Sequence, residues 1–356
     1  MTTLRRRSSL ITQFVVASRY MPVFIAIALL AAIAAIWVPD ALAGPALRAM
    51  AAGGAILAIA ALGQMLVVMT AGIDMSTPGT VSMAAVLMVG MGNQQSLSKA
   101  IFTAIGMAVL IGLVNGILIG GIKLNALIVT LATGQLVNGL VIRYSRGFPV
   151  QLPVPEPLSS WTSGRILGQS HVLWVGVLLT VLLILGFRYT TLGRRFQSVG
   201  ANPVAAHVVG LRVNVYQIAA YVVAAVLYAV AGILLAGQLK TPGVSAGQSY
   251  LLGPIAAVVI GGASLTGGLA SSFATASAAF FITWLNQVMR VLGLSTALQN
   301  VVFGAVIIAG MLISGDRIIR LVERVLRERR RGRKPGRNTK LETSGPKSAS
   351  LDGGGT

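Results

Sequence analysis

An all-α, polytopic membrane protein is the fold class this sequence predicts, and three observations carry that prediction. Of its 356 residues, 55% are hydrophobic and only 10% are charged. Soluble domains carry about 25% charged residues, so this chain cannot cover a water-facing surface. The mean hydropathy is +0.82. Finally, the apolar residues gather into runs of membrane-spanning length.

A helix needs roughly 20 apolar residues to cross the hydrocarbon. Such runs lie at 22–38, 49–70, 99–121, 126–142, 172–187, 215–237, 271–289 and 297–313. Two shorter runs, 79–92 and 251–262, border glycine-rich segments and read as short or broken helices. Counting both gives about ten crossings, which puts the N- and C-termini on one side.

The placement of Lys and Arg says which side. With the N-terminus inside, Arg5, Arg6, Arg7, Arg19, Lys123, Arg188, Arg194, Arg195, Arg212 and the tail make 21 basic residues inside against 7 outside. Basic loops stay cytoplasmic, so both termini are expected there. The net charge of +20 therefore reflects orientation and a basic tail, not a nucleic-acid partner. Arg5–Arg7 followed by an apolar run imitates a signal peptide, and Ala41-Leu42-Ala43 a cleavage site. The length of the run, and the spans that follow at once, favour a retained first helix.

Three regions follow. Residues 1–20 form a cytoplasmic N-terminal segment, 21–315 the transmembrane domain, and 316–356 a basic, largely disordered cytoplasmic tail suited to anionic lipid headgroups. The longest outside loop, 143–171, holds Pro149, Pro153, Pro155 and Pro157 and is expected to be extended and poor in helix.

Enzyme chemistry finds little footing. There is no cysteine, and the two histidines, His171 and His207, lie far apart without a carboxylate cluster. A phosphate-binding P-loop needs Gly-Lys-Ser/Thr, and no lysine here follows a glycine. Any ATPase driving transport is expected to be another polypeptide.

The residues able to meet a solute are few. Asp74, with Ser76 beside it, is the one acidic residue among the spans. An ionised group at membrane depth costs about 2.5–3.5 kcal/mol on insertion scales and marks function by default. The following Ser76-Thr77-Pro78 equally suits a helix start capped by Asp74. Asn115, Asn138, Asn286, Gln287, Gln299 and Asn300 add uncharged polar groups. Amides donate and accept hydrogen bonds, as a polyhydroxylated solute requires, yet each can equally bridge two helices. Gly112, Gly116 and Gly120 form a small-residue stripe for close helix packing.

The cytoplasmic loop 188–215 is the most informative segment. Asn202 and Pro203 supply an N-cap and a first helical residue, and Gly210 a C-cap. Between them fits an apolar helix of about seven residues, too short to span. Such a helix either docks into a partner groove or lies on lipid.

Four ordered motifs resemble one family. Gly193-Arg194, then Gly200-Ala201-Asn202-Pro203-Val204-Ala205-Ala206 and Gly210-Leu211 are similar to the coupling loop of permease subunits from ribose-type ABC importers. Gly72-Ile73-Asp74-Met75-Ser76 resembles that family's Gly-Ile-Asp-Leu-Ser. Asn125-Ala126-Leu127-Ile128-Val129-Thr130-Leu131 and Gly261-Gly262-Ala263-Ser264-Leu265-Thr266-Gly267-Gly268 match in type and order. Two departures stand out: Thr77-Pro78 before Gly79, and Leu269-Ala270 after the last motif.

The resemblance implies an inner-membrane translocation subunit that binds no cofactor itself. It implies a second permease subunit, a cytoplasmic ABC ATPase consuming ATP with Mg, and a periplasmic sugar-binding protein delivering a monosaccharide or related polyol. It assigns Gly193, Arg194, Gly200, Asn202, Ala205, Ala206 and Gly210 to ATPase coupling. Asp74, Ser76, Asn125, Thr130, Asn286 and Asn300 are candidates for the translocation path. Permeases for branched-chain amino acids or nucleosides are the nearest alternative. A zwitterion, however, would need charged partners in the path, and Asp74 alone is available. An ion-coupled secondary transporter would need further intramembrane carboxylates.

Overall fold

The computed structural model of the protein describes residues 2–146 and 152–314. The basic tail and the middle of the long outside loop, with Pro149, lie outside the described residues. The chain runs through α1 (Thr2–Trp37), α2 (Gly44–Met69), α3 (Thr77–Gln94) and α4 (Leu97–Gly116), which a π-turn, Ile117–Gly121, prolongs. Then come α5 (Ala126–Ser145), α6 (Glu156–Ser163), α7 (His171–Tyr189), α8 (Thr191–Ala201) and α9 (Pro203–Val208). The described chain closes with α10 (Val213–Leu239), α11 (Gly253–Ile260), α12 (Ser272–Val291) and α13 (Thr296–Ser314).

Every apolar run read from the sequence falls on a helix, and six helices among the described residues are long and apolar enough to cross a membrane. These are α1 from Tyr20 onward, α2, α4 with its π-turn, α5, α7 and α10. A helix apolar on all faces has no side to show to water and belongs in the centre. That is the position of α2, buried along nearly its whole length between α10, α12, α7 and α11. A second apolar cluster joins α3, α4 and α10.

The α4–α10 contact depends on the glycine stripe. A Cβ at Gly112 would lie 2.6 Å from the Val222 Cα, one at Gly116 2.8 Å from the Ile218 Cα, and one at Gly120 3.0 Å from the Gln217 Cβ. Two of these three obstacles are backbone, so no rotamer change relieves them. Gly116→Leu is expected to push the helices apart at a cost of about 1–3 kcal/mol, typical of overpacking. Thermal unfolding in detergent would register it as a lowered midpoint, and a wild-type midpoint would refute the packing role.

Two expectations need correction. The 79–92 run is not a short fragment: α3 is an 18-residue helix, about 27 Å long at 1.5 Å per residue. Pro78 sits in its first turn, where a missing N–H costs nothing, so the break falls before it, at 72–76. The loop 143–171 is not merely extended. Its prolines start a helix, α6, capped at Pro155, and a two-stranded hairpin follows with Arg165 opposite Ser170.

The 251–262 run is the short helix expected of it. At eight residues α11 is too short to cross alone. Between α10 and α11 the chain is irregular except for one 3-10 turn, Gln248–Tyr250, and the Gly247 N–H donates to the Ser82 Oγ in the second turn of α3 at 2.9 Å. Gly247 also lies so close to the Pro78 carbonyl that a Cβ there would strike it. Irregular backbone is tolerated at membrane depth only where protein surrounds it. Here α3 does so, and the segment leading into α11 is mostly irregular.

Helix ends gather into two groups. At one end the Lys123 ammonium donates to Asn214 Oδ1 at 2.7 Å and Gln217 Oε1 at 2.8 Å, near the loops bearing Arg188, Arg194, Arg195 and Arg212. At the other, the Val154 N–H donates to the Lys240 carbonyl at 2.7 Å and the Asn93 amide to the Pro153 carbonyl at 2.6 Å.

Candidate functional site

Two neighbourhoods carry the polar and unpartnered groups. The first is the break between α2 and α3. Helix α2 ends with Ala71 in the left-handed region at φ +61°. Its N–H donates to the Val68 carbonyl at 2.9 Å, and the Gly72 N–H to the Val67 carbonyl at 3.1 Å. This is a Schellman closure with alanine where glycine is usual. A Cβ at Gly72 would strike the Tyr221 hydroxyl, so glycine lets the chain pass without displacing that buried ring.

Unwound backbone inside a membrane must find partners for its N–H and C=O groups. Side chains from neighbouring helices supply them. Gln64 of α2, with its amide turned to satisfy its neighbours, accepts the Asp74 N–H at 3.1 Å. Its amide nitrogen donates to the Asp74 carbonyl and to the Tyr228 hydroxyl, both at 3.0 Å. Thr130 of α5 accepts the Met75 N–H on its Oγ1 at 2.9 Å. Gly134 lets α5 come that near, since a Cβ there would lie 3.0 Å from the Met75 carbonyl oxygen.

Asp74 is not the cap of α3; geometry gives that position to Ser76. Asp74 instead makes an Asx turn, its Oδ1 accepting the Ser76 N–H at 2.8 Å and the Ser76 Oγ–H at 2.6 Å. The Asn115 amide of α4 donates to the same Ser76 Oγ at 3.1 Å. Asp74 Oδ2, Asn115 Oδ1 and Tyr221 Oη are buried and have no partner among the described residues. One hydroxyl thus holds together a carboxylate and an amide, each with a spare acceptor.

The second neighbourhood is the loop between α7 and α10. Thr190 caps α8, its Oγ1 accepting the Gly193 N–H at 3.0 Å. Asn202 caps α9, its Oδ1 accepting the Ala205 N–H at 3.0 Å, and Gly210 follows at φ +82°. Ala206 turns inward onto Val199 and Val213. Val204, Val208 and Val209 turn outward, with 76%, 81% and 74% of their surface exposed. The exposed side of this loop also carries Arg188, Arg194, Arg195 and Arg212.

The structure therefore brings Asp74, Ser76 and Thr130 together, and leaves two of their companions elsewhere. Asn125 is exposed and caps α5, accepting the Leu127 N–H at 3.0 Å. Asn286 lies on the last two turns of α12, partly buried, with no recorded bond to the Asp74 group. The Asn300 side chain lies outside the described residues. Among the coupling candidates, Gly193, Gly200 and Ala206 are buried, while Arg194, Asn202, Ala205 and Gly210 are exposed.

Sequence reasoning missed Gln64 and Tyr228, the two side chains that hold the Asp74 backbone. A single glutamine inside the apolar run 49–70 was the available signal. It also missed Val204 and Val208, whose i, i+4 spacing places them on one face of α9.

A helical bundle that keeps a hydrogen-bonded polar break at membrane depth, and projects a short apolar helix from its arginine-rich end, has the build of a multi-pass membrane permease. Sequence comparison agrees. Residues 46–311 match the family model described as the branched-chain amino acid transport system / permease component, and the chain belongs to that family. The ribose import permease protein of Bacillus subtilis (strain 168) is 34% identical over 251 residues, 69% of this chain and 77% of the relative. Its Escherichia coli (strain K12) counterpart is 29% identical over 255 residues, 70% of this chain and 79% of the relative. The autoinducer 2 import system permease protein of Salmonella typhimurium (strain LT2) is 29% identical over 278 residues, 78% and 80% of the two chains. No solved structure matches the chain significantly.

Proposed function

We propose that this protein is the membrane-spanning subunit of an ABC importer for a monosaccharide such as ribose, or a related small polyhydroxylated solute. The observation that carries the reading is the outward valine face of α9, on a chain whose relatives are import permeases. Three valines exposed beside four arginines have no stabilising role in the isolated chain, and they suit a groove on a cytoplasmic ATPase.

In this reading the arginine-rich end and both termini are cytoplasmic, the chain makes ten passages of the inner membrane, and a second permease subunit completes the path. The partner ATPase uses ATP and Mg, and a periplasmic binding protein delivers the solute. This chain contributes no acid, base or nucleophile; its work is alternating access. The spare acceptors Asn115 Oδ1 and Asp74 Oδ2, with the Tyr221 hydroxyl, suit the hydroxyls of a polyol better than a zwitterion.

Reconstitution tests the proposal. Proteoliposomes holding this chain with a ribose-type ATPase and loaded binding protein are expected to take up labelled pentose only with ATP and Mg. Accumulation by this chain alone on an ion gradient would overturn it.

A further inference from the structure

We propose that Gly200, Gly267 and Gly268 form a rigid joint that carries movement of α9 into the helix break at 72–76. The inference rests on the coupling role proposed above, and it assigns these glycines as positioning residues for it.

Three chain segments distant in sequence meet here, backbone against backbone. Gly200 lies in the last turn of α8, and a Cβ on it would strike the Met69 carbonyl oxygen and lie 2.9 Å from the Gly268 nitrogen. Gly267 and Gly268 sit in the turn between α11 and α12 at φ +95° and +82°. A Cβ on Gly267 would come 2.5 Å from the Gly200 carbonyl oxygen, and one on Gly268 2.7 Å from the Ala201 Cα. The Gly268 N–H donates to the Met69 carbonyl at 2.9 Å, which ties this turn to the end of α2. All three glycines are buried.

A contact made of side chains yields by changing rotamers; one made of main chain cannot. Displacement of any of the three segments must therefore move the other two. On the outer side the joint continues without a gap into the docking helix, because Val199 of α8 packs with Ala206 at the root of α9. On the inner side Met69 is followed by Ala71 and Gly72, whose N–H groups close onto Val68 and Val67. Two residues later comes Asp74, held by Gln64, and then Ser76, held by Asn115. A push on the exposed valines thus reaches the polar break at 72–76 through bonded or touching backbone.

Variants separate transmission from docking. Gly200→Ala is expected to leave the ATPase subunit co-purifying within about twofold of wild type, since Gly200 faces inward. ATP-driven uptake should fall about tenfold or more, and the binding protein should no longer stimulate hydrolysis. Unchanged uptake, or loss of co-purification in step with uptake, would overturn the joint.

A second experiment does not depend on a destabilising substitution. The chain has no cysteine, so Ala71→Cys and Ala201→Cys, which flank the joint, can be bridged by a short bis-maleimide in an otherwise native protein. A joint that moves as one body keeps its uptake within about twofold when bridged; loss of uptake on bridging would refute rigidity. Failure of the underlying reading looks different, because the unmodified chain would then bind no ATPase at all.

Discussion

Val208→Asp is expected to abolish ATP-driven uptake while the protein still inserts and folds. Val208 ends α9 with 81% of its surface exposed, so its replacement disturbs no internal packing. The Asn202 cap, with Oδ1 on the Ala205 N–H, and the inward Ala206 both remain. Burying a valine side chain is worth about 1.5–3 kcal/mol, so losing it alone weakens docking about ten- to a hundredfold. A carboxylate carried into the same apolar groove adds a desolvation cost on top. Co-purification of the ATPase and ATP-dependent uptake should fail together, with an unchanged elution profile in detergent. Val204→Asp, on the same face, should behave alike. Retention of both activities by either variant would remove α9 from the coupling role.

Much of this architecture is legible in the sequence because a membrane span is announced by composition alone. The run 49–70 needs no periodicity to be read as a central helix, since α2 is apolar on every face. The short α9 was legible from its punctuation, Asn202-Pro203 before and Gly210 after. What escaped depends on tertiary contact. Helix α8 escaped because Arg194 and Arg195 on its exposed side make the segment read as loop, while only Gly193, Val199 and Gly200 are buried. Helix α6 escaped because prolines weigh against helix in the interior but favour it in the first turn. The mostly irregular segment before α11 escaped because the Ser82 hydroxyl and the α3 backbone that satisfy it lie far away in sequence.

The candidate site was legible in kind and less so in membership. An acidic residue between apolar runs singled out Asp74, and Thr130 joined it through the resemblance. Asn125 was assigned to the path with them, yet an asparagine at a helix start has a nearer use as its cap. Gly200 and Gly267-Gly268 stood in separate motifs, and nothing in one motif says that it touches the other. Close backbone approach leaves glycine as its only trace, and glycine has many causes.

The sharpest test of the break is a pair of substitutions at Asp74. Its Oδ1 accepts both the Ser76 N–H and the Ser76 Oγ–H, and Ser76 in turn holds the Asn115 amide. Asp74→Ala removes both bonds at a buried place, leaving donors unsatisfied at about 1–3 kcal/mol each. The 72–76 segment loses its turn, α3 its fixed start, and α4 its tie to the break. A lowered unfolding midpoint and loss of uptake are expected together. Asp74→Asn keeps an Oδ1 in the same position with both bonds intact. It also replaces Oδ2, buried without a partner among the described residues, with an amide nitrogen able to donate. A carboxylate at membrane depth is costly to hold, so the asparagine variant is expected to unfold at or above the wild-type midpoint. Its uptake should remain within about twofold of wild type, because the turn and not the charge is what the break uses. If Asp74→Asn instead keeps its stability and loses uptake, the free carboxylate oxygen meets the solute or an ion, and the architectural account of Asp74 is wrong.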